Sequence, residues 1–322
     1  MTITVSTIPL VSRTDVLAAH RVVAPRLHRT PMVRSAYLSD RFAADIWLKL
    51  ELLQKTGSFK VRGVLNKMST LSAADRARGV VTLSAGNHAQ AGAGAARDAG
   101  VRATVVMPST AVQSKIDATR GYGAELILTD ADLLDTARAL EAERGLVLIH
   151  PFDDFAVIAG QGTLAEEVFD ELPDTDLLLV GVGGGGILSG TGVVARARRA
   201  SARVIGVEPD GAAVMRLSLD RGAPQRMSGM KTIADGLAAP FAGVLPFAHV
   251  TALGLEIVTV PEEAIVEALW LLVERCKIVP EPAACVGLAA LVAGSVTAAH
   301  GARTVIVVTG GNIGRDRLRT LA

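Results

Sequence analysis

The sequence of 322 residues has few cysteines, few aromatic side chains and almost no net charge. Its two cysteines, Cys276 and Cys285, are too few for a disulfide framework. They are expected to be buried thiols in a reducing compartment, which predicts a cytoplasmic protein. The 33 basic and 32 acidic residues nearly cancel, which argues against binding nucleic acid or an anionic membrane through bulk charge. Met1–Pro9 lacks the charged start and apolar run of a secretory signal.

One uncharged stretch of 18 residues, Pro282–Ala299, has the length of a membrane span. Most of its residues are alanine or other small residues, so it is too weakly apolar for the interior of a lipid bilayer. It suits a helix that packs closely against a sheet. We therefore expect a buried helix here and no membrane span.

Short apolar, β-branched runs alternate with helical patterns along the chain, and this alternation is typical of parallel βαβ units. The fold class is therefore predicted to be α/β, with two open twisted sheets of mainly parallel strands flanked by helices. Helices are predicted over Thr14–Leu27 and from an N-cap at Ser58 to about Leu71. The predicted strands are Asp45–Leu50, Gly79–Leu83, Ala103–Met107, Glu125–Thr129, Leu146–Ile149, Leu177–Val182, Arg203–Val207, Glu256–Val260 and Thr304–Val308.

A chain of 322 residues is near the size limit of a single core, so we expect two lobes with a ligand-binding cleft between them. Residues 77–151 hold four of the predicted strands and are assigned to a small domain. Residues 1–76 and 152–322 are assigned to a large domain. Ligands of such sheets bind at the carboxyl ends of strands, so the loops that follow the strands are the candidate binding segments.

Lys60 lies in the stretch Ser58–Gly63, near the start of the second predicted helix. A lysine that is withdrawn from water loses proton affinity, and its neutral amine can form a Schiff base with an aldehyde. Taken alone, however, a lysine on a helix is more often a solvated surface group. This stretch by itself leaves both interpretations open.

Two of the loops that follow strands also have two interpretations each. Ser84–His88 opens a helix, and it either offers backbone N–H groups to an anion such as a carboxylate or is a simple turn with Asn87 as N-cap. Thr309–Asn312 follows the last strand. Its Thr309 hydroxyl either meets a ring nitrogen of a ligand or caps the final helix from a glycine turn.

The loop Gly181–Gly186 lies between a strand and a helix and predicts a phosphate site. Its consecutive glycines are Gly183, Gly184, Gly185 and Gly186. They let successive N–H groups surround a phosphate with no side chain in the way. The loop also satisfies the G-x-G-x-x-G spacing of dinucleotide sites, with Glu208 after the next strand as a ribose-binding acid. A nicotinamide enzyme is therefore an alternative.

Taken in order along the chain, these motifs resemble those of the fold-type II pyridoxal-phosphate enzymes, in particular the threonine/serine dehydratase and serine racemase group. The resemblance extends over nearly the whole chain and implies a tryptophan synthase β-like fold, in which the large domain binds the cofactor and the small domain lies on the substrate side. It is carried by Lys55–Lys60, Ser84–Gln90, Ile158–Thr163, Gly181–Gly186, Thr232–Gly236 and Glu281–Pro282.

The resemblance implies a role for each motif. Lys60 would bind pyridoxal 5'-phosphate as a Schiff base, be displaced by the substrate amine and then remove the α-proton. Gly183–Gly186 would hold the phosphate, and Asn87 would bond to the ring hydroxyl. Thr309 would face the pyridine nitrogen, and Phe59 would pack against the ring. The substrate carboxylate site would be lined by Ser84, Ala85 and His88.

Three details of the resemblance bear on the reaction. The neutral hydroxyl of Thr309 favours rapid loss of a β-substituent over transamination. Racemases of this group carry a second serine where this chain has Ala85, so racemisation is expected to be poor or absent. Metal-binding members carry an acid where this chain has Val214, so no metal is expected. Glu208 is left as a weak metal candidate and is interpreted as a surface acid at a strand end.

The resulting hypothesis is a pyridoxal-phosphate-dependent ammonia-lyase that acts on a β-hydroxy amino acid, with L-threonine or L-serine as the default substrate. Alternatives are 3-hydroxyaspartate and a hydroxyectoine-derived compound. Alternatives from other classes are an NAD-binding oxidoreductase and a ligand-binding descendant without activity. The expected partners are the amino-acid substrate and a second copy of the chain in a homodimer, with no nucleic acid and no membrane.

Overall fold

The structure is a computed structural model, and it describes residues 8–321. Residues 1–7, to which most of the stretch Met1–Pro9 belongs, and Ala322 lie outside the described residues. Strands and helices alternate along the described chain, which confirms the predicted α/β class.

The helices and strands are numbered separately in chain order. The α-helices of the described chain are α1 (Arg13–Val23), α2 (Ala36–Phe42), α3 (Lys60–Ser69), α4 (Ala73–Arg78), α5 (Asn87–Ala99), α6 (Gln113–Gly121), α7 (Leu133–Arg144), α8 (Phe155–Glu171), α9 (Gly186–Arg198), α10 (Val214–Arg221), α11 (Val244–Leu253), α12 (Glu262–Glu274), α13 (Val286–Val292) and α14 (Arg315–Arg319). The strands are β1 (Met32–Arg34), β2 (Asp45–Leu50), β3 (Val80–Leu83), β4 (Ala103–Pro108), β5 (Glu125–Thr129), β6 (Val147–Ile149), β7 (Leu177–Gly181), β8 (Arg203–Pro209), β9 (Glu256–Val260) and β10 (Arg303–Val308).

These strands form two sheets, as predicted. The larger sheet has the order β1-β2-β10-β7-β8-β9, in which β1 is antiparallel to β2 and the other neighbours are parallel. The smaller sheet has the order β5-β4-β3-β6 and is parallel throughout. β7 is buried at every position, as expected of a strand with helices on both faces. The strands of the smaller sheet all lie within residues 77–151, and the domain boundaries themselves stay a prediction.

Both predicted helices are present, but their bounds differ from the predicted ones. α1 begins at Arg13, because Ser12 and Asp15 form a capping box, and it ends at Val23 rather than Leu27. Ser58 is not the N-cap, because Phe59 occupies that position, and Ser58 instead forms an isolated bridge with Gly310. α3 therefore begins at Lys60.

The uncharged stretch Pro282–Ala299 contains a buried helix, but a shorter one than its length suggests. A 3-10 turn at Pro282–Ala284 leads into α13, which ends before Gly294 at a φ of +71°. In the part of the chain that the structure describes, no helix has both the length and the apolar character needed to cross a membrane. Cys285 is buried, as predicted, whereas Cys276 is only half-buried.

Close helix packing fixes the start of α3 against α8. A Cβ on Gly160 of α8 would lie 2.6 Å from the Cα of Gly63 in α3. A Cβ on Gly190 of α9 would likewise lie 2.5 Å from the backbone nitrogen of Gly162 in α8. The absence of side chains at these positions lets the three helices pack backbone to backbone. This packing holds Lys60 at the edge of the cleft between the sheets.

Candidate active site

A cavity of about 630 Å³ lies where the carboxyl ends of strands from both sheets face each other. The loops that follow β3, β7 and β10 all contribute to its lining. Apart from Glu208, every predicted site residue lines this one cavity. These residues are Phe59, Lys60, Ser84, Ala85, Asn87, His88, Gly183, Gly184, Gly185, Gly186 and Thr309.

Lys60 is the first residue of α3, and its side chain reaches the cavity. Its Nζ donates a hydrogen bond to Pro151 O at 3.1 Å and lies 5.2 Å from the centre of the Phe59 ring. Burial lowers the pKa of Lys60 to about 8, and the nearby carboxyl of Glu281 opposes this shift. The amine is still mostly protonated near physiological pH, but its neutral fraction is far larger than that of an ordinary lysine.

The glycine loop joins β7 to α9 and presents its backbone to the cavity. Within residues 8–321, no protein acceptor is bonded to the N–H groups of Gly183, Gly184 or Gly185. A Cβ on Gly183 would lie 3.0 Å from Leu237 O, and one on Gly184 would overlap the ring of Phe152. These positions therefore cannot carry a side chain unless the loop shifts. The free N–H groups of the loop, at the start of a helix, suit a phosphate.

Asn87 lies at the first position of α5, where both polar atoms of its side chain are engaged. Its Nδ2 donates to Glu281 Oε1 at 2.5 Å, and its Oδ1 accepts from Asn312 Nδ2 at 2.8 Å. The N-cap of α5 is Gly86, so the alternative in which Asn87 caps the helix is wrong. The amide is instead held in a fixed orientation beside the cavity.

Thr309 is buried next to the start of α3. Its carbonyl accepts a hydrogen bond from Phe59 N at 3.1 Å, which joins the loop after β10 to the residue before Lys60. The final helix α14 has Gly314 as its N-cap, so the alternative in which Thr309 caps that helix is wrong. The Thr309 side chain remains part of the cavity wall.

The Ser84–His88 loop is internally ordered. Gly86 N donates to Ser84 Oγ at 3.0 Å, and His88 Nε2 lies 3.2 Å from Ile149 O. Burial, together with the charge of Lys60, lowers the pKa of His88 to about 3. The imidazole is therefore neutral at physiological pH and adds no positive charge to the cavity.

Glu208 lies outside the cavity, and its interpretation as a surface acid is wrong. It is fully buried, and its two oxygens accept hydrogen bonds from Met215 N and Arg216 N, each at 2.8 Å. Burial raises the pKa of Glu208 to about 7, opposed by these backbone donors. Both oxygens are thus hydrogen-bonded to the backbone at the start of α10 and are not available to a ribose. Among residues 8–321, no cluster of three or more His, Cys, Asp or Glu side chains is arranged to hold a metal ion.

Sequence reasoning assigned no role to four residues that shape the site. Glu281 binds Asn87, Asn312 binds Asn87 and Thr56, Pro151 accepts from Lys60, and Phe152 covers Gly184. Burial raises the pKa of Glu281 to about 7, and the hydrogen bond from Asn87 opposes the shift. The motif Glu281–Pro282 could have indicated that Glu281 belongs to the site. An aromatic residue three positions after a strand, in a chain with only 3% aromatic residues, was a signal for Phe152.

Comparison with known proteins decides the family. A family model described as "Pyridoxal-phosphate dependent enzyme" matches residues 23–310. The chain belongs to this family. The predicted family and the predicted cofactor, pyridoxal 5'-phosphate, are thereby confirmed.

Several members of this pyridoxal-phosphate enzyme family are similar over nearly the full chain. An L-threonine ammonia-lyase of Thermotoga maritima is 42% identical over 308 residues, which cover 94% of this chain and 76% of the relative. An L-threo-3-hydroxyaspartate ammonia-lyase of Saccharomyces cerevisiae is 39% identical and covers 95% of each chain. The solved structure of maize serine racemase superposes with a TM-score of 0.92 at 33% identity and covers 97% of each chain. The predicted fold-type II architecture is therefore confirmed.

The residues of the cavity fit this cofactor. A buried amine of lowered proton affinity suits its aldehyde, and a turn of free backbone N–H groups suits its phosphate. The cavity that holds both groups has the size of a typical small-molecule site.

Proposed function

We propose that this enzyme is an ammonia-lyase that removes the β-hydroxyl of a hydroxy amino acid and releases a 2-oxo acid and ammonia. The reaction class is supported by relatives named L-threonine ammonia-lyase and L-threo-3-hydroxyaspartate ammonia-lyase. The single observation that carries the proposal is the buried amine of Lys60, which shares one cavity with the glycine loop.

The bound cofactor supplies an aldehyde that captures amines and a ring that accepts the electrons left when the α-proton departs. Lys60 Nζ would hold the aldehyde and, as a free amine, would act as the general base for the α-proton. Its pKa of about 8 suits this role, because a base that is poised near the working pH both accepts and returns a proton readily. Its hydrogen bond to Pro151 O keeps the amine at the cavity wall.

The loops that line the cavity orient the cofactor and the substrate. The N–H groups of Gly183–Gly186 would hold the phosphate. Asn87 Nδ2 donates one N–H to Glu281, and its other N–H would be available to the ring hydroxyl. Phe59 packs against the ring. Thr309 offers the ring nitrogen a neutral hydroxyl, which limits electron withdrawal and favours prompt loss of the β-hydroxyl. The carboxylate of the substrate lies at the start of α5, where it meets Ser84, Ala85 and His88.

We also propose the domain division, oligomeric state and location that the sequence predicts. Residues 77–151 form the small domain, and residues 1–76 and 152–322 form the large one. The protein works as a homodimer in the cytoplasm, and its two unpaired cysteines agree with a reducing compartment. Light scattering of the purified protein tests the dimer, since the chain mass is 33.4 kDa and twice that value is expected.

The function is tested with purified protein and a panel of hydroxy amino acids. The protein should absorb visible light, lose that band on borohydride treatment, and release ammonia and a 2-oxo acid from at least one of the amino acids. A colourless protein that binds NADH would instead favour the oxidoreductase. A coloured protein that releases ammonia from none of them would favour a binding protein without activity.

A further inference from the structure

Glu208 is a buried carboxylate that lies outside the cavity and has no part in the proposed chemistry. It is fully buried near the end of β8. Its two oxygens accept hydrogen bonds from the backbone N–H groups of Met215 and Arg216, each at 2.8 Å, in the first turn of α10. Hydrogen bonds to an ionised acceptor are stronger than those between neutral groups. The Glu208 carboxylate therefore fixes where α10 begins relative to the larger sheet.

Met215 connects this turn of α10 to the glycine loop. Its side chain is fully buried, and a Cβ on Gly185 would lie 2.6 Å from Met215 Cε and 2.7 Å from the Cβ of Pro246 in α11. Gly185 is thus enclosed between α10 and α11. It is the N-cap of α9 and has a φ of +98°, a conformation that glycine adopts at no steric cost. The direction of its backbone therefore depends on these two neighbours.

The start of the glycine loop is joined to the same strand as Glu208. Gly181 on β7 pairs with Val207 on β8, and Val182 N donates to Val207 O at 2.9 Å. Val207 directly precedes Glu208. The loop is therefore held at its start by β8 and near its end by Met215. A change at Glu208 would loosen the second contact and leave the first in place.

From this arrangement we infer that Glu208 is a positioning residue for the phosphate of the cofactor. By holding the start of α10, it keeps Met215 against Gly185 and directs the free N–H groups of the glycine loop into the cavity. Backbone donors bind an anion well only when they converge on it, so a small shift of Gly185 weakens the site. The inference rests on the phosphate site assigned under the proposed function. It adds a residue that lines neither the cofactor site nor the substrate site.

The test measures the Kd of the cofactor-free full chain for pyridoxal phosphate and for pyridoxal, which lacks the phosphate. It is done at pH 8, where the Glu208 carboxyl, with a pKa of about 7, is mostly ionised. In Glu208→Gln, the amide nitrogen cannot accept a hydrogen bond, so one buried N–H of α10 loses its partner. The Kd for pyridoxal phosphate should rise about tenfold, while that for pyridoxal should change less than about twofold. A general loss of structure would change both values alike.

Met215→Ala is a second variant that leaves the carboxylate unaltered. It should show the same phosphate-specific loss. The double variant Glu208→Gln/Met215→Ala should lose little more than either single variant, since both changes act on one contact. Met107→Ala is the matched control, because Met107 is also fully buried but lies on β4 of the smaller sheet, outside the cavity. Its two Kd values should equal those of the unmodified protein.

The inference is overturned if either folded variant, Glu208→Gln or Met215→Ala, leaves the Kd for pyridoxal phosphate unchanged or weakens the binding of pyridoxal equally. The phosphate site itself has a separate test in Gly184→Ala, which alters the glycine loop directly. Unchanged binding of pyridoxal phosphate in Gly184→Ala would overturn that site. A loss in Gly184→Ala without one in Glu208→Gln and Met215→Ala would overturn the inference alone.

Discussion

Asn87 donates a hydrogen bond to Glu281 at 2.5 Å across 194 positions of sequence, and this bond orients an amide that lines the cavity. Glu281 is 5% exposed, and burial raises the pKa of its carboxyl from 4.5 to about 7. Between pH 4.5 and about 7, the Glu281 carboxyl is deprotonated in the unfolded chain but still protonated in the folded chain. Because the unfolded state then binds fewer protons, Glu281 makes stability fall as the pH rises through this window.

Glu281→Gln removes this pH-dependent contribution and keeps an oxygen that can accept from Asn87. The free energy of unfolding of the variant should rise relative to that of the unmodified protein between pH 4.5 and about 7, by up to about 3 kcal/mol, and stay level above that range. Urea unfolding at pH 5, 6 and 8 measures the difference. Glu208 contributes equally in both proteins and cancels. A difference that does not change with pH would contradict the raised pKa.

Gly184→Ala tests the bare backbone of the glycine loop. The added methyl group would overlap the ring of Phe152, so the loop has to shift away from the position that suits a phosphate. The Kd for pyridoxal phosphate should rise about tenfold or more, in keeping with the cost of overpacking a close-packed site. Absorption titration of the cofactor-free protein measures it. Gly121→Ala is the control, because nothing lies within 4 Å of the new methyl group, and an equal Kd for both variants would argue against the proposed phosphate site.

Arg62 forms the centre of a buried charge cluster two positions after Lys60. It is fully buried, and it donates to Glu51 at 2.7 and 2.8 Å and to Glu167 at 2.7 and 2.9 Å. Lys49 donates to the same Glu167 at 2.6 Å. Arg62→Met should therefore lower the free energy of unfolding by about 3–5 kcal/mol, since it removes the cation paired with the buried Glu51 and leaves Glu167 with Lys49 alone.

Chemical denaturation of Arg62→Met measures this loss. Arg203→Met provides the comparison, because Arg203 forms an exposed ion pair with Glu256 and its removal should cost less than about 1 kcal/mol. Similar losses for the two variants would mean that the buried cluster does not stabilise the region around Lys60.

Much of the fold could be predicted from periodicity, because strands such as β7 and β10 are continuous apolar runs between helical patterns. β1 was missed because three residues give no measurable alternation. The N-cap at Ser58 was predicted wrongly because Ser58 pairs with Gly310, near the other end of the chain. Local capping preferences do not register such a long-range contact.

The site was predictable where one loop carries the whole signal, as in Gly183–Gly186. It was not predictable where a partner is distant in sequence, as for Glu281 with Asn87 or Pro151 with Lys60. Glu208 is buried because the start of α10 packs against it and Met215 N donates to its carboxylate. The local sequence around Glu208 does not indicate this contact. Motifs therefore located the cavity, while tertiary contacts determined how each side chain is held there.

The most direct measurement maps the lysine that holds the cofactor. The coloured protein is reduced with borohydride, which fixes the cofactor covalently to that amine, then digested and analysed by mass spectrometry. We predict the added pyridoxyl mass at Lys60 and none at Lys67, which lies on the same helix but pairs with Asp154 outside the cavity. Label on another lysine, or a visible band that survives in Lys60→Ala, would contradict the account.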